Sequence, residues 1–137
     1  MRDSVLNENE IVDAMCRYLE NQGYEIQEKC STKQKGVDIV AKHARLGHLR
    51  IEAKGGTSTF SGSARFGKEF SPSQVIDRVA KGFYTAACMS HQNADTVALA
   101  FPDSLLFRKY LEKLRPSAKK LSIKIFLVRR DSSVTEF

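Results

Sequence analysis

The chain has 137 residues, 42% hydrophobic and 28% charged, a balance typical of one compact globular domain that excludes a disordered chain. Its formal net charge of +6 at pH 7 suits a polyanionic partner without requiring one. No apolar run approaches the roughly 20 residues of a membrane span, and the opening MRDSVLNENE lacks the basic and apolar regions of a signal peptide. We therefore expect a cytoplasmic protein without membrane contact.

The first part of the chain is predicted to form one helix and three strands. Residues 5–22 carry apolar side chains at helical spacing, and Gly23 follows as a stop signal. Strands are predicted at 24–30, 36–43 and 48–54. The last two of these strands are expected to pair through the turn at residues 44–47.

The rest of the chain begins with a segment rich in Gly and Ser. This segment, 55–73, is predicted to be a long loop, either functional or disordered. A helix at 72–90 follows, with Pro72 in its first turn. The remaining elements are a strand at 95–101, a helix at 103–115 with Asp103 as N-cap, a strand at 121–130 and a solvated tail at 129–137.

The predicted element order is α-β-β-β-α-β-α-β, with no internal repeat. This order indicates an α/β fold, a mixed central sheet flanked by helices. We expect a single domain over residues 1–137.

Charged residues interrupt two of the predicted strands. Successive side chains of a strand point to opposite faces, so Asp38 should point away from both Val37 and Ile39. Glu52 and Lys54, two positions apart, should share one face of the next strand. If these strands pair, Asp38 and Glu52 come within reach of one ion.

Two carboxylates this close on an apolar sheet repel each other and shift toward protonation unless a cation lies between them. Mg²⁺ suits this position because it takes one or two protein carboxylates and keeps sites for water and phosphate. Lys54 adds a positive charge that would hold a water nucleophile or stabilise charge on a phosphorus centre. The alternative is an ordinary internal ion pair between Asp38 and Lys54.

The motif GVD at 36–38 followed by EAK at 52–54 resembles the signature of the PD-(D/E)XK nuclease superfamily, also called restriction-endonuclease-like. In that family an aspartate is followed, after a gap, by Glu-x-Lys on the adjoining strand. Val37 replaces the proline that names the family. Within the superfamily, the pattern resembles Holliday-junction resolvases and Mrr-like restriction domains.

The resemblance implies a role for each motif residue. Asp38 and Glu52 would bind the metal ion together with the main-chain carbonyl of Ala53, and Lys54 would assist the attacking water. The implied fold is restriction-endonuclease-like, with a helix, a three-strand meander, a helix and a further strand.

Family members usually add a glutamate from the first helix and often a glutamine from the helix after Glu-x-Lys. Glu8 is favoured over Glu10 because it continues the apolar face of its helix, although both would also suit a helix N-terminus as mere acidic residues. Gln74 is the candidate glutamine. Arg78 and Lys81 share its stripe and would meet phosphate, or form a solvated face.

The Gly/Ser-rich loop carries Arg65, Lys68 and three phenylalanines. It would close over nucleic acid, with cations on phosphates and aromatics on bases. Alternatively, it is an insertion whose phenylalanines pack into the core.

These patterns predict a Mg²⁺-dependent DNA endonuclease, with Mn²⁺ as a possible substitute, that hydrolyses phosphodiesters. Because no separate recognition domain is evident, we expect a homodimer or a partner subunit that supplies specificity. A non-catalytic nucleic-acid-binding or structural subunit with the same fold is the alternative, and RNA remains open as substrate.

Overall fold

The computed structural model describes residues 5–29, 37–58, 68–90 and 95–137. These residues form three helices and six strands. The elements are α1 (Glu8–Asn21), β1 (Tyr24–Lys29), β2 (Ile39–His43), β3 (Gly47–Ala53), α2 (Pro72–Met89), β4 (Thr96–Pro102), α3 (Leu105–Lys120), β5 (Ile123–Val128) and β6 (Val134–Glu136). The predicted α/β architecture, a mixed sheet flanked by helices, is confirmed.

The six strands form one sheet in the order β1 to β6. Strands β1, β2 and β3 form an antiparallel meander, β3, β4 and β5 run parallel, and β6 is antiparallel to β5. Parallel strands end at the same edge of a sheet. We call this edge, from which the chain leaves β3, β4 and β5, the carboxyl edge. The start of β2 lies there too, since β2 runs antiparallel to β3.

The helices cover both faces of the sheet. Ile51 and Ala53 of β3 pack into the hydrophobic cluster under α1, whereas Leu99 and Phe101 of β4 pack into the cluster under α2 and α3. Because side chains alternate along a strand, Glu52 projects from the face opposite to Ile51, the face that α2 covers. The core therefore directs Glu52 toward α2 at the carboxyl edge.

Alternation does not extend back to Val37, and the prediction that Val37 and Ile39 share a face is wrong. Strand β2 begins at Ile39, which is fully buried in the α1 cluster. Val37 instead packs against the cluster under α2 and α3. The chain thus crosses from one face to the other at Asp38, before regular strand geometry begins.

Helix α3 begins and ends at residues other than those predicted. Its N-cap is Ser104, whose side chain accepts a hydrogen bond from the main-chain N–H of Phe107 at 3.1 Å, rather than Asp103. The helix also continues through Pro116 to Lys120. An internal proline loses one helical hydrogen bond, yet the last turn packs on the core through the buried Ala118.

The C-terminal residues are not a solvated tail. Val134–Glu136 form β6, and the main-chain N–H of Phe137 donates to the carbonyl of Ile125 at 2.7 Å. The Phe137 ring packs against the cluster under α2 and α3. No helix among the described residues is long and apolar enough to cross a membrane.

Candidate active site

The site is built where β2 starts and β3 ends. Ile39 pairs with Ile51, so the regular ladder stops before Ala53. The Asp38 side chain takes the place of the missing strand partner, and its Oδ2 accepts a hydrogen bond from the main-chain N–H of Ala53 at 2.8 Å. This bond fixes the aspartate beside the end of β3.

The Glu52 and Asp38 carboxyls lie within hydrogen-bonding reach of each other, and each residue is only 8% exposed. Burial, and then the Asp38 charge, raise the pKa of Glu52 to about 7. Burial also raises the pKa of Asp38, although the bond from Ala53 opposes this rise. The two adjacent acids therefore take up a proton near neutral pH, where exposed carboxyls would both be charged.

Lys54 brings a positive charge to the acid pair. Its Nζ lies 3.3 Å from Oε2 of Glu52, and its side chain is 18% exposed. The main-chain N–H of Lys54 donates to the carbonyl of Ala100 at 3.0 Å, which anchors this residue to β4. The three motif residues predicted from sequence thus lie together at the carboxyl edge.

Glu8, not Glu10, lies beside this group. Burial raises the pKa of Glu8, and the nearby Asp38 charge raises it further, while Lys54 lowers it. The Glu10 side chain caps its own helix by accepting from the main-chain N–H of Asn7 at 3.0 Å. The helix N-terminus therefore uses one glutamate as a cap and presents the other to the acids.

Two glycines hold the start of α1 against the site, and sequence reasoning placed them in a loop. Gly55 and Gly56 are buried. A side-chain carbon on Gly55 would lie 2.2 Å from the main-chain nitrogen of Glu8, so only glycine fits there. The N–H of Gly56 donates to the carbonyl of Leu6 at 2.9 Å. The paired glycines directly after Lys54 were the available signal, since glycine permits close backbone approach.

The stretch before α2 brings one further cation close. The main-chain N–H of Phe70 donates to the carbonyl of Gly56 at 2.9 Å, which places the Phe70 ring near the site. The guanidinium of Arg78 lies over this ring, 4.7 Å from its centroid, and its charge lowers the pKa of Glu8. The Arg78 side chain therefore lies at the margin of the site, near Glu8.

The other predicted residues are placed differently. The Gln74 side-chain oxygen accepts from the main-chain N–H of Ser71 at 2.9 Å and closes the first turn of α2, so only its amide nitrogen is left for the site. Lys81 is exposed and pairs with Asp77 at 3.1 Å. Lys68 is exposed, and Arg65 lies outside the described residues.

Comparison with known proteins gives no family for this chain. No protein-family model, curated protein or solved structure matches it. The resemblance to the PD-(D/E)XK nucleases is therefore carried by the motif residues and their arrangement.

The donor atoms suit a hard divalent cation. In the described ranges no group of three or more His, Cys, Asp or Glu side chains is arranged to hold a metal. Two carboxyls do meet, and the carbonyl of Ala53 points to the same side of β3 as its N–H, toward Asp38. Mg²⁺ takes few protein oxygens and keeps several waters, so Asp38, Glu52 and Ala53 would hold it.

Proposed function

We propose that this protein is a Mg²⁺-dependent DNA endonuclease with a restriction-endonuclease-like core. The observation that carries the proposal is the buried contact between the Asp38 and Glu52 carboxyls, with Lys54 at 3.3 Å from Glu52. The element order from α1 to β4, a helix, a three-strand meander, a helix and a parallel strand, supports the fold assignment.

An ordinary ion pair is a poorer explanation of these residues. In that alternative Asp38 pairs with Lys54, but Lys54 contacts Glu52 while Asp38 bonds to Ala53. Two nearly buried acids then face one lysine, which leaves one negative charge without a cation when both acids are ionised. Removing charged groups from water costs free energy, so a buried ion pair adds little net stability to the fold. A site with one cation too few is expected where a divalent ion is to bind.

The reaction we propose is attack of water on the phosphorus of a phosphodiester, with departure of the sugar oxygen on the opposite side. A divalent ion bound between the carboxyls would supply charge neutralisation at the phosphate and a lower pKa for the attacking water. Asp38 and Glu52 would hold the ion as carboxylates, which would require the pair to lose any proton it carries.

The remaining residues act directly on water and phosphate. The Lys54 ammonium orients the attacking water and stabilises the negative charge that gathers on the phosphate oxygens. Glu8 is a better proton acceptor than a surface glutamate because burial and Asp38 raise its pKa, so it takes the proton that the water loses. Arg78, beside Glu8, contacts the phosphate backbone.

We further propose that the protein acts in the cytoplasm, as a homodimer or with a partner subunit that supplies specificity. The described residues form one sheet with its helices and include no separate recognition domain. Two copies related by a two-fold axis would place one site on each strand of a duplex.

The test is nicking of supercoiled plasmid with Mg²⁺ and with EDTA. Glu52→Gln preserves the neutral hydrogen bond to Asp38 but removes a carboxylate, so we expect nicking to fall at least 100-fold. Glu112→Gln, a change of the same type at an exposed position of α3, should nick like the wild type. Equal nicking by Glu52→Gln and wild type would contradict the proposal. Metal-independent DNA binding without nicking would favour the non-catalytic subunit.

A further inference from the structure

A second basic group lies at the carboxyl edge, beyond the residues that the motif contains. It borders an open cavity of about 620 Å³. Its charged lining residues are Glu69, Asp103, Arg108, Arg129 and Arg130. Arg129 and Arg130 directly follow β5, and Asp103 directly follows β4. We call Arg108, Arg129 and Arg130 the arginine cluster.

The register of the sheet gives the distance of the arginine cluster from Lys54. Ala53 is level with Ala100, and Ala100 is level with Phe126, so Lys54 is level with Leu127. Two strand spacings and two further residues put the main chains of Lys54 and Arg129 roughly 12 Å apart. One DNA strand carries a phosphate per about 3.4 Å of helix axis, so a strand cut at Lys54 passes the cluster a few nucleotides away.

Contacts connect the cluster to the site. Arg130 forms an ion pair with Glu69, the residue next to Phe70. The Arg78 guanidinium lies over the Phe70 ring, and its charge lowers the pKa of Glu8. Cations therefore follow the carboxyl edge from the acid pair through Arg78 to Arg130.

Asp103 holds the other two arginines. It accepts two hydrogen bonds from Arg108, at 2.6 and 3.0 Å, and lies 3.8 Å from Arg129. These arginines lower its pKa, so it is charged at neutral pH. Asp131 and Glu112 also lie close enough to act on Arg129 and Arg108, so the arginines are balanced by acids and a phosphate has to replace a carboxylate. The ion pair of Arg130 with Glu69 is exposed, and such pairs contribute about 0 to 1 kcal/mol, so a phosphate can displace Glu69 at small expense.

We propose that the arginine cluster is a second phosphate-binding site for duplex DNA, which holds the backbone a few nucleotides from the cleaved bond. This inference rests on the proposed function, since it extends the track of the same substrate. Arg129 and Arg130 make the phosphate contacts. Arg108 is the more fixed member, being bonded twice to Asp103 and lying over the Phe137 ring.

The test is the salt dependence of DNA binding, measured by fluorescence anisotropy with a labelled 20-base-pair duplex in EDTA, where no cleavage occurs. Each lost phosphate contact lowers the slope of log affinity against log salt by about 0.9. The double variant Arg129→Gln, Arg130→Gln should therefore lose about 2 from the slope. The control is the double variant Lys42→Gln, Arg45→Gln, which removes the same charge at exposed positions near the opposite edge.

We expect the control to keep the wild-type slope. Thermal unfolding should change little in either variant, because the Arg130–Glu69 pair is exposed and Asp103 keeps both hydrogen bonds to Arg108 when Arg129 is replaced. A wild-type slope in the Arg129, Arg130 variant, an equal loss in the control, or no duplex binding by the wild type would overturn the proposal. If the wild type nicks DNA but the Arg129, Arg130 variant has the wild-type salt slope, only the second phosphate-binding site is refuted. If the salt slopes differ as expected but the wild type does not nick DNA, only the nuclease activity is refuted.

Discussion

The carboxyls of Asp38 and Glu52 lie side by side and nearly buried, and burial, followed by the Asp38 charge, raises the pKa of Glu52 to about 7. The main-chain N–H of Ala53 favours charge on Asp38 and Lys54 favours charge on Glu52, so the pair as a whole takes up a proton near neutral pH. The same contact has consequences for stability, metal affinity and activity, and each is measurable.

Glu52→Gln should stabilise the protein at pH 8 while removing activity. The pKa of Glu52 is about 7 in the folded protein and 4.5 is its ordinary value, so its contribution to folding is present below pH 4.5 and lost as the pH rises through 7. Glutamine does not ionise, so at pH 8 the variant should gain up to about 3 kcal/mol.

Urea unfolding at pH 5 and pH 8 measures this gain. The difference between variant and wild type should be small at pH 5 and large at pH 8, whereas Glu112→Gln should stay within about 0.5 kcal/mol of wild type at both. A constant difference across this pH range would show that Glu52 does not hold the proton.

Binding of a divalent ion should release the proton that the acids share. Below the pKa of about 7 for Glu52, Mg²⁺ affinity should rise about tenfold per pH unit, and above it the affinity should level off. Isothermal titration calorimetry with Mg²⁺ or Mn²⁺, in buffers of different ionisation enthalpy at pH 6, should detect release of one proton. Affinity that does not change between pH 6 and pH 8 would contradict the shared proton.

Gly55→Ala should destabilise the protein and disturb the site together. The added carbon meets the main chain of Asn7 and Glu8, which has to move, and overpacking of this kind costs about 1–3 kcal/mol. Gly47→Ala is the matched control: nothing lies within 4 Å of an added carbon there, and the strain arises only from a φ of +80°. We expect Gly55→Ala to lose nicking activity and Gly47→Ala to keep it. A Gly55→Ala protein with wild-type activity and stability would contradict this prediction.

Two substitutions can show whether Gln74 only caps α2 or also contributes to the reaction. Its oxygen closes the first turn of α2 on Ser71, and glutamate serves this purpose as well as glutamine. Gln74→Ala should therefore lower stability by about 1 kcal/mol. Gln74→Glu should keep both stability and nicking if the residue is only a cap. A stable Gln74→Glu variant with strongly reduced nicking would instead show that its amide nitrogen contributes to the reaction.

The sheet and the acid pair could be predicted because they depend on local patterns. Side-chain alternation in β3 separates Glu52 from Ile51, and the short hairpin returns Asp38 to the end of β3. The inward direction of Glu8 followed from the helical period in the same way. Alternation failed at Val37, which precedes the first regular residue of β2.

The missed features depend on contacts between distant parts of the chain. Gly55 and Gly56 have a loop-like composition, yet they are buried because the start of α1 packs on them. Strand β6 has three residues, and only pairing with β5 makes it a strand. Arg129 and Arg130 appear in the sequence as the end of a strand, and the parallel register of β3, β4 and β5 places them at the same edge as Lys54.

The most direct test is an anomalous difference map from a crystal soaked in Mn²⁺. We predict a peak within about 2.5 Å of carboxyl oxygens of both Asp38 and Glu52, beside the carbonyl of Ala53, and no such peak in Glu52→Gln crystals. A fully soaked wild-type crystal with no density between these carboxyls, and with their hydrogen bond intact, would contradict the metal site from which the proposed nuclease activity follows.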